Sequence, residues 1–117
     1  MKKVLVTGGT RGIGLATALK FVEKGYRTAA AYFSDEESAA VAKEEDVKDL
    51  FRRFGNVDVL VNNAGISLVK QLQDVTAEEW DRLFAVNVRG AFLCAREAAK
   101  GMIAEKSGLI VNISSVW

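Results

Sequence analysis

Apolar positions fall into four short runs separated by helical patterns. Val4-Leu5-Val6 opens the chain as an unbroken apolar run and predicts a buried strand over residues 2–7. Ile13, Leu15, Ala18, Leu19 and Val22 then recur at helical spacing, with Gly25 placed to stop that helix. Residues 28–33 predict a second, alanine-rich strand. Ser34 can cap a helix whose first turn holds Asp35, Glu36 and Glu37. Val47, Leu50, Phe51 and Phe54 share one face, so a single helix is expected over about residues 35–54. Residues 57–62 predict a third strand, announced by Gly55. Thr76 and Glu79 form a capping-box pair ahead of a long helix over 76–104, and residues 109–113 predict a fourth strand. Strands alternating with helices imply one α/β domain over residues 1–117, a parallel sheet with right-handed crossovers.

The junction of the first strand and first helix carries the sharpest chemistry. A strand that ends on Gly8, Gly12 and Gly14 and turns into a helix aims backbone N–H groups at one point. A phosphate placed there meets free donors and the positive end of the helix dipole. Glycine lets a ligand approach the chain closely. The first expectation is therefore a diphosphate cradle.

Composition narrows what such a site can do. Half of the 117 residues are hydrophobic and 26% are charged, which suits a soluble globular chain. A net charge of +1 and the lack of a basic cluster argue against a nucleic-acid partner. No run approaches the ~18 apolar residues of a membrane span, and the N-terminus lacks a signal-peptide core. The single cysteine, Cys94, cannot form an internal disulfide and fits a reducing, cytoplasmic setting. The chain has no histidine, which removes Ser-His-Asp and Cys-His catalysis and most zinc sites. No spacing of carboxylates suggests a metal.

Four motifs together resemble one family. Thr7-Gly8-Gly9-Thr10-Arg11-Gly12-Ile13-Gly14 is similar to the cofactor loop of short-chain dehydrogenases/reductases. Asn62-Asn63-Ala64-Gly65 resembles that family's second signature, Asn87 its helix asparagine, and Ile110-Val111-Asn112-Ile113-Ser114-Ser115 the strand that delivers its catalytic serine. The nearest branch is 3-oxoacyl-carrier-protein reductase-like. The resemblance covers nearly the whole chain but only the N-terminal half of an ordinary family member.

Two departures shape the functional expectation. The family's Tyr-x-x-x-Lys lies beyond the serine, and these residues stop at Trp117. Tyr26 and Tyr32 are followed at the fourth position by Ala30 and Glu36, so neither has the spaced lysine. The family also inserts another helix, strand and helix between Ser34 and Gly55. Here about seven residues would remain after a strand at Asp46-Val47, too few for a crossover of roughly a dozen. An internal strand is read as excised and two helices as fused, a shortening that looks engineered. The expected sheet order becomes 2-1-3-4, a flavodoxin-like remnant of a Rossmann fold in three α/β/α layers. The fused helix should lie on the face opposite the first helix, and the crevice between strands 1 and 3 should survive.

By resemblance, Gly8, Thr10, Arg11, Gly12, Ile13, Gly14, Asn63, Ala64 and Gly65 are the cofactor-binding residues, and Ser115 and Asn87 are vestigial catalytic residues. Arg11 could pair with a 2′-phosphate, and Tyr32 stands where NAD-preferring relatives carry Asp. Both point to NADP, although Phe33 replaces an arginine common in NADP-preferring relatives. Asn63 and Asn87 can equally serve as structural amides that satisfy nearby backbone. The resulting expectation is part of an NADP-dependent carbonyl reductase, with weak nucleotide binding and no turnover. The parent reaction is hydride transfer from NADPH to a ketone such as a 3-oxoacyl thioester. A non-binding fold scaffold and a half-enzyme completed in trans are the alternatives. Homodimerisation is expected through the 76–104 helix or the exposed strand edges.

Overall fold

Alternation inside each strand decides which face each helix covers. The structure is a computed structural model that describes residues 1–9, 12–31 and 43–114. Strand β1 (Lys3–Thr7) turns Val4 and Val6 to one face and Leu5 to the other, and all three are fully buried. Strand β3 (Val59–Asn62) repeats the pattern, with Val59 and Val61 on the first face and Leu60 on the second. Helix α1 (Gly12–Glu23) packs Ala18 against Val4, Val6, Val59 and Val61. Helix α2 (Glu44–Phe54) and helix α4 (Gly90–Glu105) pack Val47, Leu93, Cys94 and Ala98 against Leu5 and Leu60 on the other face.

The sheet is four-stranded, in the order β2-β1-β3-β4, with β2 at Arg27–Ala31 and β4 at Leu109–Asn112. Every pairing is parallel, with Leu5 opposite Leu60, Leu60 opposite Ile110, and Leu5 opposite Ala29. Both the strand order and the placement of α2 opposite α1 follow the expectation from sequence. The second half of the expected 35–54 helix is present as α2, and Leu50, Phe51 and Phe54 pack with Val47 as predicted. The helix does not run through Lys43 as expected: Lys43 is extended, at φ −93 and ψ 120, and α2 begins at Glu44. Residues 35–42, and the expected extension of β2 through residues 32 and 33, lie outside the described residues.

Several details differ from expectation. Gly55, at φ 84, ends α2 by closing its last turn and so does more than announce β3. Beside it the Lys3 ammonium reaches the Phe54 carbonyl and sits 4.5 Å from the Phe54 ring centroid. Strand β3 begins two residues later than predicted. Just ahead of it, the Asp58 N–H donates to the Lys3 carbonyl at 2.8 Å and the Asp58 carbonyl accepts the Leu109 N–H at 3.0 Å. The Asp58 carboxylate accepts the Lys3 backbone N–H at 2.8 Å, and Val57 is buried.

The long helix is continuous but not uniform. Helix α3 (Ala77–Phe84) starts on the predicted capping box, with Glu79 N–H donating to the Thr76 hydroxyl and Thr76 N–H to the Glu79 carboxylate. A π-helical turn over Ala85–Arg89 then joins it to α4. Such turns insert one extra residue and gather at functional places. Asn87 sits in its middle. Lys106 ends α4 in the left-handed conformation, at φ 54.

Candidate functional site

The order of the sheet reverses between β1 and β3, and open α/β sheets gather ligands at such a switch point beyond the carboxyl ends of their strands. Two loops meet there: the turn from β1 into α1, and the segment leaving β3. The Thr7 hydroxyl ties them together, accepting the N–H groups of Asn63 and Ala64, each at 3.0 Å. The Asn63 amide closes the same junction by donating to the Gly8 carbonyl at 3.2 Å. Thr7 is 1% exposed, so a hydroxyl without these partners would be costly to bury.

The glycines of the turn have separable roles. Gly8, at φ +67, and Gly12, at φ +58, occupy the left-handed region that side chains resist. Gly14 is needed for contact: a Cβ there would overlap the Gly8 carbonyl oxygen and the Asn63 amide. A Cβ on Gly9 would press on Ala30 of β2. At Gly12, by contrast, a Cβ would meet nothing within 4 Å among the described residues. Among the described residues the turn is therefore packed tightly behind and open in front. The front is where the first N–H groups of α1, which lack partners within the helix, point outward. That arrangement suits an anion with several oxygens, and a dinucleotide diphosphate fits it.

On the other flank the segment leaving β3 is held by the long helix. Asn87 Oδ1 accepts the Ile66 N–H at 2.9 Å, and Asn87 Nδ2 donates to the Ile66 carbonyl at 2.9 Å. Both polar ends of this amide thus hold the backbone of Ile66. A Cβ on Gly65 would stand 3.1 Å from Asn87 Oδ1, which explains the small residue beside it. Ala64 and Gly65 thus line the crevice between two clamps, Thr7 with Asn63 on one side and Asn87 on the other.

Two further residues belong to this framework and were not singled out from sequence. Thr7 is one. Asn112 is the other: it stands opposite Asn62 in the β3–β4 register, and Asn62 Nδ2 donates to Asn112 Oδ1 at 3.0 Å and to the Ala91 carbonyl at 3.2 Å. Two asparagines ending consecutive strands were visible in the sequence, but their register was not. Thr10, Arg11 and Ser115 lie outside the described residues. Ile13 is on α1 with its side chain 67% exposed.

Electrostatics adds little within the crevice. The clearest titration shift with a value is that of Cys94, whose thiol is pushed up to about 11 by burial against the sheet. It is thus a poor nucleophile and packs as a small apolar residue. Among the described residues no group of three or more His, Cys, Asp or Glu could hold a metal ion, and no helix is long and apolar enough to cross a membrane.

The family model for short chain dehydrogenases matches residues 2–48 and 44–117. The chain belongs to the short-chain dehydrogenase/reductase family. It is 36% identical to the 3-oxoacyl-[acyl-carrier-protein] reductase of Staphylococcus aureus, across 98% of this chain and 56% of that protein. It is likewise 36% identical to an uncharacterized oxidoreductase of Thermotoga maritima, across 97% and 53%. Among solved structures, a short chain dehydrogenase/reductase family protein superposes with a TM-score of 0.89 at 32% identity, covering 98% of this chain and 55% of that one. ElxO with NADP bound superposes at 0.85 and 33% identity, covering 98% and 56%. The chain thus spans about half the length of the curated relatives it matches. The first alignment runs over 138 residues, more than the 117 of this chain, so it opens gaps in it. The family match restarts at 44–48, where α2 begins. Both features agree with an internal excision ahead of α2.

Proposed function

We propose that these 117 residues form the cofactor-gripping half of an NADP-dependent short-chain carbonyl reductase, in the cytoplasm, and that by themselves they hold the dinucleotide without turning it over. The observation that carries this reading is the β1–α1 turn. It is closed behind by Gly14 against the Gly8 carbonyl and open in front of Gly12. Bound there, NADPH would supply a hydride to a ketone such as a 3-oxoacyl thioester. The chain's own residues do three things. The turn holds the diphosphate with backbone N–H groups. Ala64 and Gly65 bring backbone close to the ribose side. Thr7 and Asn63 hold the two loops together, and Asn87 holds the segment leaving β3 against the long helix. Arg11 and the neutral Tyr32 support a preference for the 2′-phosphate, as does likeness to a structure described as holding NADP.

The absence of turnover follows from proton supply. Reducing a ketone needs a proton on the developing alkoxide, and a positioned acid supplies it. Neither tyrosine of these residues carries a lysine at the fourth following position. Asn87 engages the Ile66 backbone with both its oxygen and its nitrogen. The internal shortening supports an engineered origin.

We also propose that the chain self-associates. Trp80, Phe84, Val88 and Phe92 form an exposed stripe on α3, the π turn and α4, with Trp80 and Phe84 stacked at 4.5 Å. Exposed aromatic surface of this kind commonly marks an interface.

Calorimetric titration of NADPH tests the cofactor reading. Heat of binding at up to millimolar ligand, with no ketone-dependent loss of NADPH absorbance, is expected. Absence of heat would reduce the chain to a scaffold, and turnover by the purified chain would overturn the proton argument.

A further inference from the structure

Asn62 closes strand β3, is 7% exposed, and makes two bonds with one amide nitrogen. Its Nδ2 donates to the Ala91 carbonyl at 3.2 Å and to Asn112 Oδ1 at 3.0 Å. The first bond fixes the orientation of both amides. A backbone carbonyl can only accept, so Asn62 presents its nitrogen there. The same nitrogen then requires Asn112 to present its oxygen.

The Ala91 bond has a counterpart. Ile66 lies four residues after Asn62, and Asn87 lies four residues before Ala91. Asn87 holds the Ile66 backbone with two bonds of 2.9 Å. The segment leaving β3 is therefore fastened to the long helix at both ends, in antiparallel order, with Asn63, Ala64 and Gly65 between the fastenings. Four residues of extended chain cover roughly 13 Å, whereas four residues of helix rise about 6 Å. The surplus chain has to bow away from the helix. It bows toward β1, where the consecutive N–H groups of Asn63 and Ala64 both reach the Thr7 hydroxyl. The bow comes so close to the glycine turn that a Cβ on Gly8 would stand 3.1 Å from Ala64 Cα.

We propose that Asn62 is a positioning residue for the crevice: by holding the Ala91 carbonyl it fixes how far residues 63–65 bow, and so where Ala64 and Gly65 stand beside the glycine turn. The helix passes from the π turn to its α form at Gly90, next to Ala91. A bond at Ala91 thus pins the helix where it resumes, and with it the setting of Asn87 against Ile66. Asn112 braces the Asn62 amide from β4, and an acceptor oxygen is all that this bracing needs. The consequence for a ligand rests on the nucleotide-holding reading above, whereas the consequence for the segment does not.

Three variants separate these roles. In Asn62→Asp, at about pH 8 and well above the ordinary carboxylate range, the side chain keeps its shape but has no N–H. Asn112 can turn its amide to donate to the new carboxylate. The Ala91 carbonyl cannot donate, so the fastening to the helix is lost while the strands stay bridged. Asn112→Asp keeps an acceptor in place and should preserve both bonds. Asn62→Ala removes the donor without adding a charge and serves if Asn62→Asp does not fold.

Hydrogen exchange at residue resolution should show the Ile66 amide accelerated in Asn62→Asp by at least about tenfold beyond any change at Leu5 and Leu60. A merely stabilising role would speed all three together through global opening. Calorimetric titration should show the NADPH dissociation constant raised about tenfold in Asn62→Asp, the scale of one lost hydrogen bond, and within about twofold of the unaltered chain in Asn112→Asp. Ile66 exchange that is unchanged in Asn62→Asp, or that rises only in step with Leu5 and Leu60, overturns the proposal. So does equal damage from Asn112→Asp, or an unchanged NADPH affinity in Asn62→Asp. If the unaltered chain binds no NADPH, the nucleotide reading fails and the exchange pattern alone decides the positioning role.

Discussion

The two faces of the sheet are built unequally. One is covered by two helices, α2 and α4, which bury Leu5, Leu60, Val86, Leu93 and Met102 in one cluster. Among the described residues the other is covered by α1, over a smaller cluster of Val4, Val6, Ala18, Val59 and Val61. Helix α1 leaves Ile13, Leu19 and Val22 more than half exposed, and a groove of about 800 Å³ runs along it past Phe21 and Tyr26. The same helix carries the glycine turn. The glycine turn therefore sits on the less covered face, and this groove is not the crevice between β1 and β3.

The sharpest way to break this comparison is to remove the same kind of side chain from each face. Leu60→Ala, from a fully buried position, should cost about 2–5 kcal/mol in chemical denaturation. Leu19→Ala, on the 58% exposed flank of α1, should change stability by no more than about 0.5 kcal/mol. Equal losses would mean that α1 is covered in solution by something other than water.

A smaller contrast separates the glycines. Gly14→Ala forces a Cβ into the Gly8 carbonyl and should cost about 1–3 kcal/mol, with loss of nucleotide binding. Gly12→Ala faces open space and bears only the strain of its positive φ, about 1–2 kcal/mol. Its stability effect should therefore be the lesser, while binding suffers through blocked approach. Thermal melts with and without NADPH distinguish the two.

The smallest effect is electrostatic and lies wholly outside the crevice. The Lys70 ammonium, then the Thr76 N–H, hold the Glu79 carboxyl below its ordinary 4.5. Lys100 does the same for Glu97, and for Glu44 so do Arg96 across the α2–α4 seam and Lys48 on α2 itself. A carboxylate whose value is lowered by folding contributes its full stabilisation above the unfolded value. That contribution fades as pH falls through the lower folded value. Stability should be level from neutrality down to about pH 5 and decline below the ordinary carboxylate range. A titration that instead loses stability near neutrality would point to groups other than these.

Strand order was legible because the strands are apolar runs and because too few residues lie between β2 and β3 for another strand and crossover. The capping box at Thr76 was legible because it is a local pattern of side chain and backbone. The π turn was not, since a helix with one extra residue keeps nearly the same apolar spacing on each side of it. The glycine turn could be named from its spacing, but the separate roles of Gly12 and Gly14 depend on what stands across from each. The Thr7 clamp and the Asn62–Asn112 pair join residues more than forty positions apart. Only the register of the strands brings them together, and a hydroxyl or amide in sequence does not announce its partner.

The most direct test of the central claim is an amide NMR titration of the chain with NADPH. Shifts concentrated at Gly8, Gly12, Ile13, Gly14, Ala64 and Gly65, with β4 and the far end of α1 unmoved, are the predicted result. A spectrum unchanged at saturating ligand, or shifts confined to the groove lined by Phe21 and Tyr26, would contradict it.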